Sequence, residues 1–291
     1  MKRLFLCLCL LTLLPFLPPA AAEEEALPDP PVLSALSEDG LSYDDGTLSV
    51  RIVPDVRFGT NVFFIYVTLT DPAQMRTVVA GRPRDKVTAN PLTLAARCNA
   101  VLAINGDFYK GHDGGLVYRN GQLIRNALGY SRDELFIDEN GDLNILTTNL
   151  TNNKELQALV DDFPRQIVQA FCWGPGLIID GKDRTQDPGF NFRDKTSCGY
   201  PTPAQRMVFC QLGPLEYMFF ATEGKEQNQP GLTIPEVVSV LMELGTVQQA
   251  YNLDGGSSTT VILCGNKINA PKSKPRDLGD IICFTTLAAG E

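Results

Sequence analysis

The chain of 291 residues contains 25 Lys and Arg against 34 Asp and Glu, which gives a formal net charge of −9. This acidic balance makes nucleic acid and anionic membrane surfaces poor general partners. We therefore expect no nucleic-acid partner, and we expect any anionic ligand to be held by a few placed cations. The length is ample for a sizeable core, in one large domain or two small ones.

The first 22 residues have the pattern of a cleaved secretory signal peptide. Lys2 and Arg3 precede an apolar run over 4–17, and alanines at 20–22 supply the small residues before the cut. Cleavage leaves 269 of the 291 residues and lowers the net charge from −9 to −11, because it removes two cations and no anion. No later stretch is long and apolar enough to span a membrane. We expect a secreted or extracytoplasmic protein without an integral span; an uncleaved anchor is the alternative.

The mature chain divides into a spacer and one domain. Residues 23–46 mix acidic residues and Pro without a clean period, which is typical of a spacer. Residues 47–288 contain short apolar runs separated by tight turns, with few helical segments. This pattern predicts an α+β fold: a single domain with a mixed, mostly antiparallel β-sheet packed by a few helices.

Three tight turns are marked by Asn120-Gly121, Asn140-Gly141 and Asp180-Gly181. Such pairs next to apolar runs favour β-hairpins. Further strands are predicted at 62–69, 207–212, 217–221, 261–264 and 281–285.

Three helices are predicted, within 90–99, 151–160 and 233–245. In the first, Asn90 is a candidate cap and Pro91 fits the first turn. In the last, Thr233 and Glu236 form a capping box and Gly245 ends the helix.

Six cysteines follow the predicted cleavage site: Cys98, Cys172, Cys198, Cys210, Cys264 and Cys283. In an exported protein an even number permits up to three disulfides, whose pairing the sequence does not determine. We expect one or two. The alternative is that the cysteines inside apolar runs are buried free thiols.

Two polar clusters each follow an apolar run that comes after a predicted helix. The first contains Asn105, Gly106, Asp107 and Tyr109, and the second contains Asn252, Asp254, Gly255, Gly256, Ser257 and Ser258. Ligands commonly bind where strands of open sheets end, so we expect the two clusters to share one pocket.

Carboxylates from two loops in one pocket suit hydrolysis of a glycosyl bond. One of Asp107 and Asp254 would activate water or act as nucleophile, and the other would stabilise the positive charge on the sugar or supply a proton. Gly255 and Gly256 let consecutive N–H groups form an anion-binding nest. The alternative for the second cluster is an ordinary tight turn.

Other chemistries have less support. His112 is the only histidine, so a catalytic triad would have to be built on it. No phosphate-binding or dinucleotide glycine pattern follows a strand. The hydroxyl and carboxylate side chains are suitable ligands for a divalent cation such as calcium. The sequence does not specify any cofactor with certainty. Arg206 and Arg276 are the candidate anion ligands, with a solvated surface position as the alternative.

Seven blocks of the chain resemble the phosphodiester glycosidase family in order and spacing. They are "AVLAINGDFY", "GLVYRNGQL", "WGPGLIIDGK", "AQRMVF", "GLTIPEVVSVLMELG", "YNLDGGSSTT" and "PRDLGDIICF". The resemblance covers residues 47–286. It implies an exported hydrolase that cleaves a sugar 1-phosphodiester in envelope or exopolysaccharide glycans.

The resemblance also implies roles for individual residues. Asp107 and Asp254 would be catalytic beside the sugar, Asn105 and Asn252 would orient by hydrogen bonds, and Arg206 would bind phosphate. The further substrate-binding residues that it implies are Gly106, Tyr109, Glu223, Gly255, Gly256, Ser257 and Ser258.

Two departures from the family pattern leave the substrate open. Where relatives commonly have Arg-Thr-x-x-Gly, this chain has Met207 and Cys210 after Arg206. Where relatives often have Asp-Gly-Arg, it has Glu223 and Lys225, which keep the charge signs without the fork geometry of Arg. The alternative function is a catalytically inactive carbohydrate-binding protein on the same scaffold, followed by a structural wall protein.

Overall fold

The computed structural model describes residues 27–128, 133–147, 150–187, 190, 199 and 201–288. The predicted signal peptide, residues 1–22, and Cys198 lie outside these ranges. None of the helices in the described ranges is long and apolar enough to cross a membrane.

In the described residues, three α-helices separate runs of four or five strands. The strands are β1 (Ser42–Asp44), β2 (Leu48–Arg57), β3 (Thr60–Leu69), β4 (Met75–Val79), β5 (Leu102–Asn105), β6 (Gly115–Arg119), β7 (Gln122–Ala127), β8 (Glu134–Asp138), β9 (Leu143–Leu146), β10 (Ile167–Phe171), β11 (Gly176–Ile179), β12 (Lys182–Asp183), β13 (Met207–Gly213), β14 (Glu216–Thr222), β15 (Gln249–Asn252), β16 (Val261–Leu263), β17 (Asn266–Lys267) and β18 (Asp280–Phe284). The α-helices are α1 (Pro91–Arg97), α2 (Asn153–Asp161) and α3 (Ile234–Glu243).

The strands form three sheets. The largest has the order β1-β2-β3-β14-β13-β15-β11-β12, and the two five-stranded sheets have the orders β7-β6-β10-β8-β9 and β17-β16-β5-β18-β4. The strand pairings in these sheets are antiparallel. The predicted α+β class and mostly antiparallel pairing are confirmed, with the strands divided among three sheets.

The predicted turns and caps are confirmed. Asn120 and Gly121 both have positive φ between β6 and β7, and Asp180 and Gly181 do the same between β11 and β12. Thr233 accepts from the Glu236 N–H while the Glu236 carboxylate accepts from the Thr233 N–H, so α3 begins with a capping box. Asn90 caps α1 in a similar way, by accepting from Leu92.

The core lies between the sheets and beneath the helices. Along β13, Met207 and Phe209 face the largest buried cluster, whereas Val208 and Cys210 face α3. This alternation follows from the two-residue period of a strand and buries both faces of the eight-stranded sheet. Each fully buried large apolar side chain contributes about 1.5 to 3 kcal/mol.

The packed structure begins before the predicted domain boundary at residue 47. Ser42–Asp44 pairs with Ser49–Arg51, and Tyr43 is 1% exposed. The Tyr43 hydroxyl donates to the Asp45 carboxylate at 2.7 Å. Part of the segment predicted as a spacer therefore packs onto the domain.

Among the described residues, five cysteines are free thiols: Cys98, Cys172, Cys210, Cys264 and Cys283. The expectation of one or two disulfides stays a prediction.

Candidate functional site

The two polar clusters meet because one loop joins two sheets. Asn105 ends β5, and the loop after β15 leads into β16, which pairs with β5. The Asn105 amide donates to the Asp254 carbonyl at 2.8 Å and accepts from the Thr260 N–H at 3.1 Å. The two clusters are therefore adjacent in the fold, and the expectation that they share one pocket stays a prediction.

Asp107 is fully buried and both of its carboxylate oxygens are engaged. One oxygen accepts from the Arg119 guanidinium at 2.7 Å, and the other accepts from the Cys172 N–H at 2.9 Å. Arg119 also donates to the Asp280 carboxylate at 2.7 Å. We call Asp107, Arg119 and Asp280 the buried ion triad. Burial raises the pKa of Asp280 to about 6, although Arg119 acts in the opposite direction.

Aromatic rings and a glycine enclose the buried ion triad. The Arg119 guanidinium lies 4.9 Å from the Tyr109 ring centre and 4.2 Å from the Phe171 ring centre. Tyr109 is 2% exposed, and burial raises the pKa of its hydroxyl, which donates to the Pro83 carbonyl. A Cβ on Gly106 would lie 2.3 Å from an Asp280 oxygen, so this position requires glycine. Gly106 and Tyr109 thus support the triad.

Asp254 lies beside an exposed cation. Its side chain is 7% exposed, and burial raises its pKa to about 6, while the hydrogen bond from Ser258 and the charge of Arg276 lower it. The negative charge of Asp107 adds to the increase, which indicates that the two carboxylates are electrostatic neighbours. Arg276 is exposed and donates to the Ser258 hydroxyl at 3.2 Å.

Half-buried aromatic rings lie next to Arg276. Its guanidinium lies 4.8 Å from the Phe108 ring centre, and Phe108 meets Trp173 edge to face at 6.1 Å. The centre of the His112 ring lies 6.2 Å from the centre of the Trp173 ring. Phe108 has a positive φ of 60°, which turns the chain sharply after Asp107.

Gly255 and Gly256 let the loop lie against the backbone of the protein itself. A Cβ on Gly255 would lie 2.4 Å from the Gln205 carbonyl oxygen. The Gly256 N–H donates to the same carbonyl at 3.0 Å, and Gly256 has a φ of 59°. Ser257 is exposed at the tip, whereas Ser258 is buried. The anion-binding role of the two glycines stays a prediction.

Arg206 is 3% exposed and surrounded by backbone carbonyls. Its guanidinium donates to the carbonyl oxygens of Gly199, Thr202 and Leu232 at 2.6 to 3.0 Å. These contacts fix the segment before β13. Its role as a phosphate ligand stays a prediction, and Arg276 is the arginine that lies beside Asp254.

Asn252 and Glu223 anchor neighbouring segments. The Asn252 amide donates to the Gly174 carbonyl at 2.9 Å. The Glu223 carboxylate accepts from the Ala270 N–H at 2.6 Å, and burial raises its pKa. Both side chains are 3% exposed. Their contact with substrate stays a prediction.

Sequence reasoning missed a buried acid near Asp107. Glu134 is 5% exposed, and burial raises its pKa to about 8. It precedes Leu135, which pairs with Phe171, so it lies across the sheet from Cys172. The available signal was a charge at the start of an apolar strand, and the same signal marks Asp280, whereas Arg119 is a charge at the end of one.

Among the described residues, no group of three or more His, Cys, Asp and Glu side chains is arranged to hold a metal ion. The divalent cation considered from the sequence stays a hypothesis.

A family model described as phosphodiester glycosidase matches residues 98–285, about two thirds of the chain. The chain belongs to the phosphodiester glycosidase family. The match spans both Asn-x-Asp clusters and extends through β18. No curated protein sequence matches this family member.

Solved structures share the fold of this chain at low identity. The zebrafish N-acetylglucosamine-1-phosphodiester alpha-N-acetylglucosaminidase catalytic domain, auto-inhibited by its pro-peptide, has a TM-score of 0.61 at 20% identity, covering 89% of this chain and 87% of that one. A hypothetical protein from Synechocystis has a TM-score of 0.60 at 15% identity, covering 82% and 62%. A Burkholderia pseudomallei K96243 protein described as exported has a TM-score of 0.51 at 12% identity, covering 78% and 74%.

Proposed function

We propose that this phosphodiester glycosidase hydrolyses a sugar 1-phosphodiester and releases the free sugar and a phosphomonoester. We also propose that it acts outside the cytoplasm, on envelope or exopolysaccharide glycans. The observation that carries the proposal is that a nearly buried carboxylate, Asp254, and an exposed guanidinium, Arg276, both hydrogen-bond to Ser258, next to aromatic rings. The family and the activity in the name of the zebrafish relative support it.

Asp254 acts at the anomeric carbon. With a pKa of about 6 it is mostly ionised at pH 7, yet basic enough to accept a proton there. In the proposed step, water attacks the anomeric carbon as its proton passes to Asp254. The bond from that carbon to the phosphate oxygen breaks, and its electron pair leaves with the phosphomonoester.

Arg276 binds the phosphate. A guanidinium offers two parallel N–H donors to phosphate oxygens, and it stabilises the charge that collects on the leaving group. Its orientation comes from Ser258, which accepts one N–H, and from the ring of Phe108 beneath it. A phosphate leaving group needs little protonation, so a carboxylate and a cation supply most of the required chemistry.

Phe108 and Trp173 offer apolar surfaces to the sugar. Both are half-buried, and their rings lie edge to face. Aromatic faces pack against apolar ligand surfaces with little loss of side-chain entropy. Asp107 contributes by fixing the turn that presents Phe108, because Arg119 and Cys172 already occupy its two oxygens.

The test compares the wild type with Asp254→Asn on UDP-N-acetylglucosamine and on a panel of p-nitrophenyl sugar phosphodiesters. Asp277→Asn is the matched control, because Asp277 is an exposed aspartate next to Arg276. We expect Asp254→Asn to lower turnover by about 100- to 10,000-fold, the usual effect of losing a general base. Asp277→Asn should remain within about twofold of wild type, as an exposed group outside the site.

Two outcomes would contradict the proposal. Equal turnover by the wild type and Asp254→Asn would remove Asp254 from the mechanism. Absence of wild-type turnover across the panel, with sugar binding detected by calorimetry, would favour the carbohydrate-binding alternative.

A further inference from the structure

Cys98 and Cys283 lie side by side although 185 positions separate them in sequence. Their sulfur atoms are 3.2 Å apart. Cys98 follows the last residue of α1, and Cys283 lies in β18 opposite Ala103 of β5. Their side chains are 6% and 0% exposed. A disulfide needs sulfurs about 2.05 Å apart, so the two sulfur atoms would have to move about 1 Å closer to bond.

We infer that Cys98 and Cys283 form a disulfide when the protein folds in an oxidising compartment. The oxidant is a disulfide-bearing thiol oxidase or a small-molecule disulfide such as oxidised glutathione. One thiolate attacks the disulfide of the oxidant and displaces its first thiol. The second thiolate then attacks the mixed disulfide and displaces the second thiol. The two cysteines lose two protons and two electrons, which the oxidant takes up as two thiols.

The surroundings favour Cys98 as the attacking group. It keeps some solvent exposure, and the hydrogen bond that it makes with Cys283 lowers its pKa. Cys283 is fully buried, and its hydrogen bond with Cys98 and its burial raise its pKa. Thiolate exchange begins at the accessible sulfur of lower pKa.

The other described thiols have different surroundings. The Cys172 sulfur lies 3.7 Å from an Asp107 carboxylate oxygen. Cys210 is buried beneath α3, where burial raises the pKa of its thiol. Cys264 lies at the turn after β16 and is partly exposed. These three cysteines therefore serve as internal controls for a selective bond.

The bond would tie α1 and β5 to β18. The strand β5 ends at Asn105 of the candidate site, and β18 begins at Asp280 of the buried ion triad. A cross-link that closes a long loop lowers the conformational entropy of the unfolded chain and thereby stabilises the folded state. We expect the bond to raise the Tm by about 5 to 15 °C.

The test uses the full chain prepared by export to an oxidising compartment. The protein is unfolded, alkylated without reduction, digested and analysed by mass spectrometry. We expect a cross-linked peptide pair that joins Cys98 to Cys283, with Cys172, Cys210 and Cys264 alkylated. Alkylation of both Cys98 and Cys283, or a bond from either one to another cysteine, would overturn the inference.

A variant series gives a second readout. Cys98→Ser should lower the Tm by as much as reduction lowers that of the wild type, and it should leave Cys283 open to alkylation. Reduction should then have no further effect on the Tm of this variant. Cys264→Ser should keep both the cross-link and the reduction-sensitive Tm. If Cys98→Ser does not fold, the mass spectrum of the wild type decides alone.

A separate observation concerns a cavity of about 320 Å³ that is lined in part by the residues directly after Phe108. Four cations and two carboxylates line it: Arg84, Lys86, Lys110, Arg125, Asp85 and Asp113. Lys110 donates to the backbone carbonyls of Ala80 and Arg82.

Arg125, on the same cavity wall, donates to the carbonyls of Tyr109 and His112 at 2.8 and 2.7 Å. Lys86 pairs with Asp113 at 2.8 Å. A carbonyl carries no net charge, so the charges of Lys110 and Arg125 remain. The cavity is therefore positive within an acidic chain.

We propose that this cavity binds a second anionic group of the substrate, a phosphate or carboxylate on the leaving group beyond the cleaved phosphodiester. This proposal rests on the proposed function. Two residues that line the cavity also contact segments next to Arg276 and the aromatic rings. Lys110 packs against Gly279, three residues after Arg276, and the His112 ring lies near the Trp173 ring.

The test uses two sugar 1-phosphodiesters with the same sugar, one esterified to ethanol and one to glycolate. We expect a KM about tenfold lower for the glycolate ester than for the ethyl ester. This difference corresponds to one exposed charge–charge contact or slightly more. Arg84→Gln with Lys86→Gln should remove the difference and leave the ethyl ester unchanged. Equal KM values in the wild type, or a difference that persists in the double variant, would overturn the proposal.

Binding of the two products, ethyl phosphate and phosphoglycolate, is measured by calorimetry in parallel. Tighter binding of phosphoglycolate that depends on Arg84 and Lys86 supports the cavity even when neither ester is hydrolysed, and that result would count against the proposed function alone. Equal binding of both products would overturn the cavity proposal.

Discussion

Asp107 and Asp254 follow the same local pattern, Asn-x-Asp at the end of a strand, but lie in different surroundings. Asp107 is fully buried, with Arg119 on one oxygen and a backbone N–H on the other. Asp254 keeps 7% exposure and lies within electrostatic reach of Arg276, which is open to solvent. The difference teaches that the pattern locates a site, whereas the nearest cation decides which carboxylate remains available to a ligand.

We expect the buried ion triad to contribute mainly to the stability of the fold, and only indirectly to activity. Arg119→Met removes the guanidinium that two buried carboxylates share. Loss of one partner from a buried ion pair typically costs about 3 to 5 kcal/mol. We expect the free energy of unfolding, measured with urea, to decrease by this amount.

Arg57→Met is the control for that variant, since Arg57 pairs with Asp55 and their side chains are 39% and 42% exposed. We expect it to cost less than about 1 kcal/mol. An equal loss in both variants would show that the triad has no special energetic role.

Asp254→Asn is expected to have the opposite effect on stability. The pKa of Asp254 is raised from 3.8 to about 6, so the folded state holds its proton more tightly than the unfolded state. The free energy of unfolding therefore decreases as pH rises from about 4 to 6, because the unfolded state releases the Asp254 proton first. An asparagine at this position does not ionise, so the variant does not lose this stability. We expect a gain of about 1 to 3 kcal/mol at pH 7, measured by urea unfolding. A less stable Asp254→Asn variant would contradict the account of Asp254 as a carboxylate whose charged form is disfavoured by burial.

Glu134 is expected to make stability fall between pH 6 and 8. Its folded pKa of about 8 exceeds the ordinary value of 4.5, so the folded state stays protonated while the unfolded state ionises. Each pH unit in this window costs about 1.4 kcal/mol, or about 2 to 3 kcal/mol in total. Glu134→Gln should remove the slope, whereas Glu139→Gln, at an exposed position after the same strand, should keep it. A wild-type stability that is flat from pH 6 to 8 would disprove this.

Arg276→Lys is expected to have the smallest effect. It keeps the positive charge but loses the two-pronged contact with phosphate. We expect kcat/KM to fall about tenfold, with the Tm unchanged because Arg276 is exposed. An unchanged kcat/KM would show that the phosphate does not bind to Arg276, and Arg206 would then be the candidate phosphate ligand.

Local features of the fold could be predicted from the sequence, and long-range ones could not. The capping box of α3 and the Asn120-Gly121 turn depend on residues a few positions apart, so their chemistry is visible in the chain. The division into three sheets depends on distant pairings, such as β3 with β14. Short apolar runs do not specify which distant run they join.

The candidate site was predictable to the same extent. The two Asn-x-Asp clusters were found because both follow buried strands. The buried ion triad was missed because Asp280 is 161 positions from Arg119, with which it pairs. Each is a single charge beside an apolar run, and only the fold brings them together.

The most direct test of the central claim, that ionised Asp254 acts in the site, is the pH dependence of kcat/KM between pH 4 and 8. The substrate is a sugar phosphodiester whose charge is constant over that range. We predict an acid limb for one proton with a midpoint near pH 6, because activity requires the carboxylate form of Asp254. A profile that stays flat down to pH 4, or a limb that survives in Asp254→Asn, would contradict the account.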